Sequence, residues 1–310
     1  MPKISVVIPV YNKANFIAET LNSVYEQTFT DYEILLINDG STDGSLEILE
    51  TFKKENTTVY SQENKGLSHA RNTGISLAKA PLICLLDADD LWETSHLENI
   101  YSLSIKYPEA TLYGTRYIDL FKNGILVLPK WNLETSENDF IVRDFFKSSL
   151  FQPIITPSSF GFKKNIISEI GGFNEDATYF EDADFFIRAN LKFQLAYSTH
   201  PSVKYSFESE NQVTHSPLHK EKIPDLTLYT KNNPTHKTLN TYVNLHLYFL
   251  CNHFKTEGAQ EQFKELRKKV EVHSLNYKQR FLLDLPRFLL VILRRVKGKL
   301  LRKGHRITTF

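Results

Sequence analysis

Three carboxylates, Asp87, Asp89 and Asp90, fall within four positions directly behind the apolar run of "LICLLDADDLW" (82–92). Acids this close repel one another, so placing them at the end of a buried strand calls for a cation between them. On an extended strand residues two apart face the same side, which lets Asp87 and Asp89 aim at a common point. Hard divalent ions such as Mn2+ or Mg2+ are held by one or two carboxylates together with substrate phosphates. The competing reading is a solvated acidic turn in which Asp90 caps the next helix. The strand in front and the rim position argue for the cation.

Other stretches could serve the same site. "NDGSTD" (38–43) ends a strand on Asp39, where an acceptor could meet the N–H edge of a base, and Ser41 and Asp43 then suit a tight turn and a helix cap. "ENKGLSHARNTG" (63–74) puts Arg71 in the first turns of a helix; beside acids and a diphosphate its guanidinium could pair bidentately. "GGFNEDATYFEDADFF" (171–186) offers a Gly-Gly turn and then Glu181, Asp182 and Asp184 opening a helix. Asp184 reads as an acid favoured by the helix dipole. Asp182 reads as a general base whose proton affinity is raised by an aromatic wall of Phe180, Phe185 and Phe186.

The elements that must position these groups alternate along the first half. "KISVVIPV" (3–10) is a strand covered on both faces, followed by Ile17, Leu21, Val24 and Tyr25 at helical spacing, with Asn12 or Asn15 as the expected cap. "YEILLIND" (32–39), "VYSQE" (59–63) and the opening stretch supply three further strands, and helices fall between them. This order implies an α/β fold with a mainly parallel sheet and helices on both faces, whose ligands bind at the carboxyl ends of the strands. Pro9 to Asn12, Asp39 to Asp43 and Asp87 to Asp90 then share one rim. Farther on, "ATLYGTRYIDLF" and "FQPIITPSSFGFKK" read as strands and "LAYSTHPSVKYSF" as a strand pair. From about residue 216 helical spacing takes over, giving an expected catalytic domain over 1–215 and a helical extension over 216–310.

The 310 residues carry a formal charge of +1, but residues 280–310 hold nine Lys/Arg against the single acid Asp284. The remainder is acidic, with 28 bases against 35 acids. A basic tail on an acidic body argues for a surface-binding terminus and against a nucleic-acid partner. Within it Leu289, Ile292, Leu293, Val296 and Leu300 gather on one helical face, with Arg287, Arg294, Arg295, Lys297 and Lys299 around the others. That is the composition of a helix lying in an anionic membrane surface; the alternative is a terminal helix packed on the core or a partner subunit. Cys84 and Cys251 are distant and apolar in setting, so neither a disulfide framework nor a thiolate metal site is expected. The N-terminus lacks a signal-peptide pattern and no run of 18 apolar residues occurs, which leads us to expect a cytoplasmic, peripheral protein.

Taken in order, "VVIPVYN", "NDGSTD", "GLSHARN", "LLDADD", "GGFNE" and "EDADF" strongly resemble the family 2 glycosyltransferases, over roughly residues 3 to 215. The resemblance implies the GT-A fold, a Rossmann-like sheet flanked by helices. It implies that Pro9 and Tyr11 border the nucleotide base, Asp39 bonds the uracil ring, Arg71 helps hold the nucleotide, and Asp87 faces the ribose. Asp89 would bind Mn2+ or Mg2+, Asp182 would deprotonate an acceptor hydroxyl, and the Gly172 to Glu175 loop would border the acceptor. Many relatives carry a histidine after the last core strands. Here Glu208 falls about there, and His215 either substitutes through a shift of the loop or is a solvent-exposed histidine. Neither Trp92 nor Trp131 sits in the glutamine-x-x-arginine-tryptophan motif of processive relatives, which favours single-sugar transfer.

The implied reaction is inverting transfer from a UDP-sugar to a saccharide or lipid-linked acceptor, as in surface-polysaccharide assembly. Two other classes compete. A nucleotidyltransferase would be expected to open on a Gly-rich phosphate loop that "IPVYNKANF" does not supply. A catalytically silent binding module of a membrane complex would tolerate loss of Asp89 and Asp182.

Overall fold

All seven residues of strand β1 (Ile4–Val10) are buried, and their side chains divide between two cores. Ile4, Val6, Ile8 and Val10 point into one apolar cluster and Val7 into the other, the period-two division expected of a strand covered on both faces. The computed structural model describes residues 1–133, 138–207, 209–210 and 216–305. After β1 come α1 (Ile17–Tyr25), β2 (Tyr32–Asp39), α2 (Ser45–Thr51), β3 (Thr57–Gln62), α3 (Leu67–Leu77), β4 (Leu82–Leu85), β5 (Leu91–Trp92) and α4 (His96–Lys106). Next are β6 (Leu112–Leu120), β7 (Leu126–Val127), β8 (Asp139–Ile141), α5 (Phe145–Ser148), β9 (Phe160–Lys163), α6 (Ile167–Ile170), α7 (Glu181–Asn190) and β10 (Leu195–Ser206). Helices α8 (Thr227–Asn232), α9 (Lys237–Glu257), α10 (Gln260–Lys269), α11 (Tyr277–Asp284) and α12 (Arg287–Leu301) complete the described chain.

One sheet runs β3-β2-β1-β4-β9-β6-β10-β5, with β7 on β6 and β8 on β10. The first four strands pair in parallel, β4 and β6 flank β9 antiparallel, and β6 and β10 are parallel again. The direction of winding reverses between β1 and β4, which opens a crevice at their carboxyl ends. The loops after β1 and β4 both enter it.

Three local expectations are corrected. "FQPIITPSSFGFKK" is a strand only over Phe160–Lys163; Pro157, which has no N–H to donate to a ladder, instead opens a 3-10 turn (Pro157–Ser159). "LAYSTHPSVKYSF" is one long strand rather than a pair, and its register on β6 shifts on either side of Pro201. Neither Asn12 nor Asn15 caps α1, which starts after Phe16 without a side-chain cap. Both asparagines are used elsewhere on the rim.

The C-terminal helices share the sheet's core. Leu239, Tyr242, Val243 and Leu247 of α9 pack with Phe145, Phe146 and Phe186. Helix α3 lies flat on β1 and β2, and Gly74 permits this: a Cβ there would stand 2.2 Å from Val7 Cγ1. Val7 is stiff and buried, so the clash cannot be relieved by a rotamer change alone. Gly74→Val is therefore expected to lower stability by about 3 kcal/mol. Gly298→Ala on α12 meets nothing within 4 Å and should gain up to about 1 kcal/mol of helix propensity. Urea midpoints of the two variants test the contrast; equal effects would refute the packing account.

Candidate active site

Strand β4 stops at Leu85, so Asp87 and Asp89 do not lie on an extended strand as expected. The Asp90 N–H donates to the Asp87 carbonyl at 3.0 Å, closing a turn that sends the three carboxylates to different partners. Asp87 accepts from Arg71 Nη2 at 2.7 Å. Asp89 accepts from Lys13 Nζ at 2.7 Å and from the Ser209 hydroxyl. Asp90 turns inward, accepting from Ser158 Oγ at 2.5 Å and from the Ser206 N–H at 2.8 Å, and does not cap α4, whose start lies at His96 behind Ser95. Burial raises the Asp90 pKa well above the carboxylate range, and the charges of Asp89 and Asp87 push it further, against its two hydrogen bonds. Mutual repulsion is thus relieved by separate partners.

Arg71, on α3, is only 1 % exposed, and its guanidinium bridges two acids from distant elements. Nη2 meets Asp87 and Nη1 donates to Glu181 Oε1 at 3.0 Å, while the Phe173 ring lies 5.1 Å from the guanidinium carbon. Both amino ends are committed to protein carboxylates. Nε has no hydrogen-bond partner among the described residues. Glu181 and Asp182 are delivered by the start of α7, which follows Phe180 in a left-handed conformation (φ 66°) rare for a bulky residue. Burial pushes the Glu181 carboxyl up to about 7, the neighbouring Asp182 charge adds to this, and Arg71 opposes it. Asp182 is likewise raised by burial, with Arg71 and the Ala183 N–H pulling it back.

Of the three rings expected to wall Asp182, Phe180 directly precedes α7. Phe185 and Phe186 are buried in the core, where Phe185 stacks on Phe173 at 4.3 Å. Electrostatically close to Asp182 lie Arg71, Asp87, Glu181, Tyr179, Tyr205 and Tyr242. Asp184 pairs with Arg188 at 2.7 Å and accepts from Tyr229, so it braces α7 against α8. The 172–175 loop is held on α3 by Asn72, whose Oδ1 accepts from the Phe173 N–H at 2.8 Å and whose Nδ2 donates to the Phe173 carbonyl at 2.9 Å and to Glu175 at 2.8 Å. Gly172 is required there, since a Cβ would fall 2.4 Å from Asn72 Oδ1.

On the other side of the crevice Pro9 is buried within β1, and Tyr11 is exposed just beyond it. Asp39 is buried; Oδ1 accepts from Gln62 Nε2 at 2.8 Å and the Lys65 N–H at 3.0 Å, and Oδ2 from the Gly66 N–H at 2.8 Å. Its carboxylate thereby holds the Gly66 turn that starts α3. Gly44 holds the N-cap position of α2, so neither Ser41 nor Asp43 is the N-cap residue itself, but Asp43 Oδ1 does accept from the Ser45 N–H at 3.1 Å at the helix start. Both also bind the neighbouring loop: Ser41 Oγ accepts from the Asn12 N–H at 3.1 Å, and Asp43 Oδ2 from the Ala14 N–H at 3.0 Å. His215 and Glu208 lie outside the described residues.

Residue-by-residue reading missed Lys13, the partner of Asp89, although "VYNKAN" places it immediately after a rim strand. It also missed Tyr205, whose pKa is raised by burial and by the charges of Asp90, Asp87, Asp89 and Asp182. No sequence signal marks Tyr205 as facing the acids; the course of β10 decides it.

Residues 5–171 match the family model of glycosyl transferase family 2. The chain belongs to that family. It is 38 % identical over 117 residues to the glycosyltransferase GlyA of Streptococcus pneumoniae, a match covering 37 % of this chain and 17 % of GlyA. It is 36 % identical over 100 residues to the putative teichuronic acid biosynthesis glycosyltransferase TuaG of Bacillus subtilis, covering 31 % of this chain and 40 % of TuaG. The chain thus spans less than half of either relative. The crystal structure of residues 1–349 of Staphylococcus aureus TarS in complex with UDP-GlcNAc is similar in fold, with a TM-score of 0.68 at 19 % identity, covering 98 % of this chain and 92 % of that one. The expected GT-A fold is borne out.

The raised Glu181 pKa has a consequence for stability. Folding raises it from 4.5 to about 7, so over that window the native state binds more protons than the unfolded chain and stability falls as pH rises. In Glu181→Gln that contribution is absent. Urea midpoints measured from pH 5 to 7.5 should decline more steeply for the wild type than for the variant; parallel profiles would remove Glu181 as the source.

Proposed function

We propose that the chain is an inverting glycosyltransferase that moves a single sugar from a UDP-sugar to a hydroxyl of a saccharide or lipid-linked acceptor, with Mn2+ or Mg2+, in the synthesis of a bacterial surface polysaccharide. The observation that carries this reading is the meeting of the Asp87–Asp89 turn, Arg71 and the Glu181–Asp182 pair at the crevice between β1 and β4. The UDP-GlcNAc held by the similar TarS structure and the teichuronic acid role in the name of TuaG support the donor and the setting.

The acid turn suits a hard divalent ion: Asp89 already accommodates a cation in the Lys13 ammonium, and the proton affinity of Asp90 is raised by burial and then by the charges of Asp89 and Asp87. Among the described residues no three His, Cys, Asp or Glu side chains form a complete metal cage. Asp89 would therefore hold the ion jointly with donor phosphates, as Mg2+ and Mn2+ permit. Bound there, the ion would supply Lewis-acid stabilisation of charge on the departing diphosphate.

The chain's own residues do the rest. Asp87, fixed by Arg71 at Oδ1, presents its other oxygen to the ribose. Asp182, with its proton affinity raised by burial, takes the proton from the acceptor hydroxyl as the acceptor oxygen bonds to the anomeric carbon. The bond from that carbon to the phosphate oxygen breaks on the opposite face, inverting the configuration, and UDP leaves. Arg71 keeps Asp87 and Glu181 at fixed distance, so donor and base sides share one rigid pivot.

The C-terminal helices support a peripheral membrane position on the cytoplasmic face. Among the described residues no helix is long and apolar enough to cross a membrane. Arg287 and Arg294 tie α12 to α9, through the Thr256 and Glu257 carbonyls and through the Thr256 hydroxyl and His253. Of its apolar residues only Leu290 is fully buried. Phe288, Ile292, Leu293 and Val296 remain exposed, with Phe281 and Tyr277 of α11. An apolar stripe amid arginines and lysines fits the boundary of an anionic bilayer.

UDP release with Mn2+, candidate UDP-sugars and acceptors tests the chemistry. Asp182→Asn and Asp89→Ala should each lose at least about 100-fold in rate; turnover surviving both changes, or a pyrophosphate product, would overturn the proposal. For the membrane surface, Phe288→Glu/Ile292→Glu should abolish flotation of the full chain with anionic vesicles. Equal flotation of wild type and variant would refute it.

A further inference from the structure

Every acid of the Asp87–Asp90 turn has a protein partner, and for Asp89 that partner is a cation. Lys13 Nζ lies 2.7 Å from Asp89 Oδ2 and donates to the Glu210 carbonyl at 2.8 Å. Both side chains are nearly withdrawn from water, at 11 % and 8 % exposure, so this pair is unlike a solvated surface ion pair. The ammonium also stands 5.7 Å from the centre of the Phe16 ring. Ser209 donates to the same Asp89 oxygen, and Asn15 Nδ2 donates to the Glu210 carboxylate at 3.1 Å.

The loop that carries Lys13 is built to hold it there. Asn12 adopts a left-handed conformation (φ 52°), held by its N–H on Ser41 Oγ and by its Oδ1, which accepts from the Thr42 N–H at 2.8 Å. The Lys13 N–H donates to Ser45 Oγ at 2.9 Å, the Ala14 N–H to Asp43 Oδ2 at 3.0 Å, and Asp43 Oδ1 in turn accepts from the Ser45 hydroxyl at 2.6 Å. The backbone on both sides of Lys13 is therefore anchored to the turn after β2, and only the side chain is free to swing.

We propose that Lys13 is a resident counter-cation of Asp89, which neutralises this carboxylate in the nucleotide-free protein and competes with a divalent ion for it. The inference rests on the reading of Asp89 as a metal ligand. An ammonium and a divalent ion cannot both occupy Asp89 Oδ2 without strong repulsion in a site shielded from water. Metal alone must therefore displace Lys13 from that carboxylate, leaving the ammonium the neutral Glu210 carbonyl in place of an anionic partner. A nucleoside diphosphate changes the balance, because its phosphates bring the negative charge that takes up the released ammonium. Metal and nucleotide consequently bind with positive coupling, and Lys13 is a source of that coupling.

Mn2+ titrations of the full chain, read by the electron paramagnetic resonance of free Mn2+ with and without UDP, test this. Without UDP, Lys13→Met should bind Mn2+ about tenfold more tightly than the wild type, Lys13→Arg should stay near the wild type, and Lys13→Met/Asp89→Asn should lose the gain. The enhancement of Mn2+ binding by UDP should shrink by the same factor in Lys13→Met. Lys13→Gln serves as a second neutral variant, and thermal unfolding of each protein verifies that it is folded. Equal metal-alone affinity in wild type and both neutral variants, or a gain that persists without Asp89, overturns the role of Lys13 alone. Absence of Mn2+ binding in every protein, even with UDP, overturns the metal reading of Asp89 and this proposal with it.

Discussion

A guanidinium removed from water needs its charge balanced, and Arg71 meets that demand with two carboxylates from opposite sides of the crevice. Asp87 arrives from the turn after β4 and Glu181 from the start of α7, about a hundred residues later in the chain. Without Arg71 these acids and Asp182 would share a poorly hydrated space and lose the cation that bridges them. With it, the loop behind the parallel half of the sheet and the helix that follows its mixed half are tied at one point. Burial still raises the proton affinities of Glu181 and Asp182, with Arg71 opposing the rise in both.

Much of the rest of the rim consists of motif holding motif. The carboxylate of Asp39 secures the Gly66 turn, and that turn starts the helix carrying Arg71 and Asn72. Asn72 in turn fixes the 172–175 loop. Ser41, Thr42, Asp43 and Ser45 knit the segment after β2 to Asn12, Lys13 and Ala14 after β1. Short polar side chains suit this work because they reach nearby backbone N–H groups that would otherwise lie unpaired in a loop. Residues that read as ligands in isolation also position the loops on which ligands would sit.

The helices after β10 are joined to this assembly through a common apolar core rather than appended at its edge. Tyr242 and His246 of α9 face α5 and the Phe180 turn that launches the Glu181–Asp182 pair. Helix α12 then rests on α9 through arginine contacts to backbone carbonyls, which leaves its apolar stripe facing outward.

Alternation of β-branched runs with helical spacing determined the first four strands, their helices and the rim on which the acids gather, because strand burial and helix amphipathy are written in local periodicity. The motif string likewise determined the family and the fold. Tertiary structure alone decided the pairing of the charges. Asp87, Asp89 and Asp90 read as one cluster aimed at one point, yet they diverge to Arg71, Lys13 and Ser158 because β4 ends two residues early and a turn fans them apart. Whether Pro157 begins a turn, whether Pro201 bends a strand or ends it, and which acids lose water depend on packing against elements far along the chain. Spacing along the backbone carries no record of the electrostatic partner waiting across a crevice, since that partner is set by the three-dimensional distance between charges and the water excluded from between them.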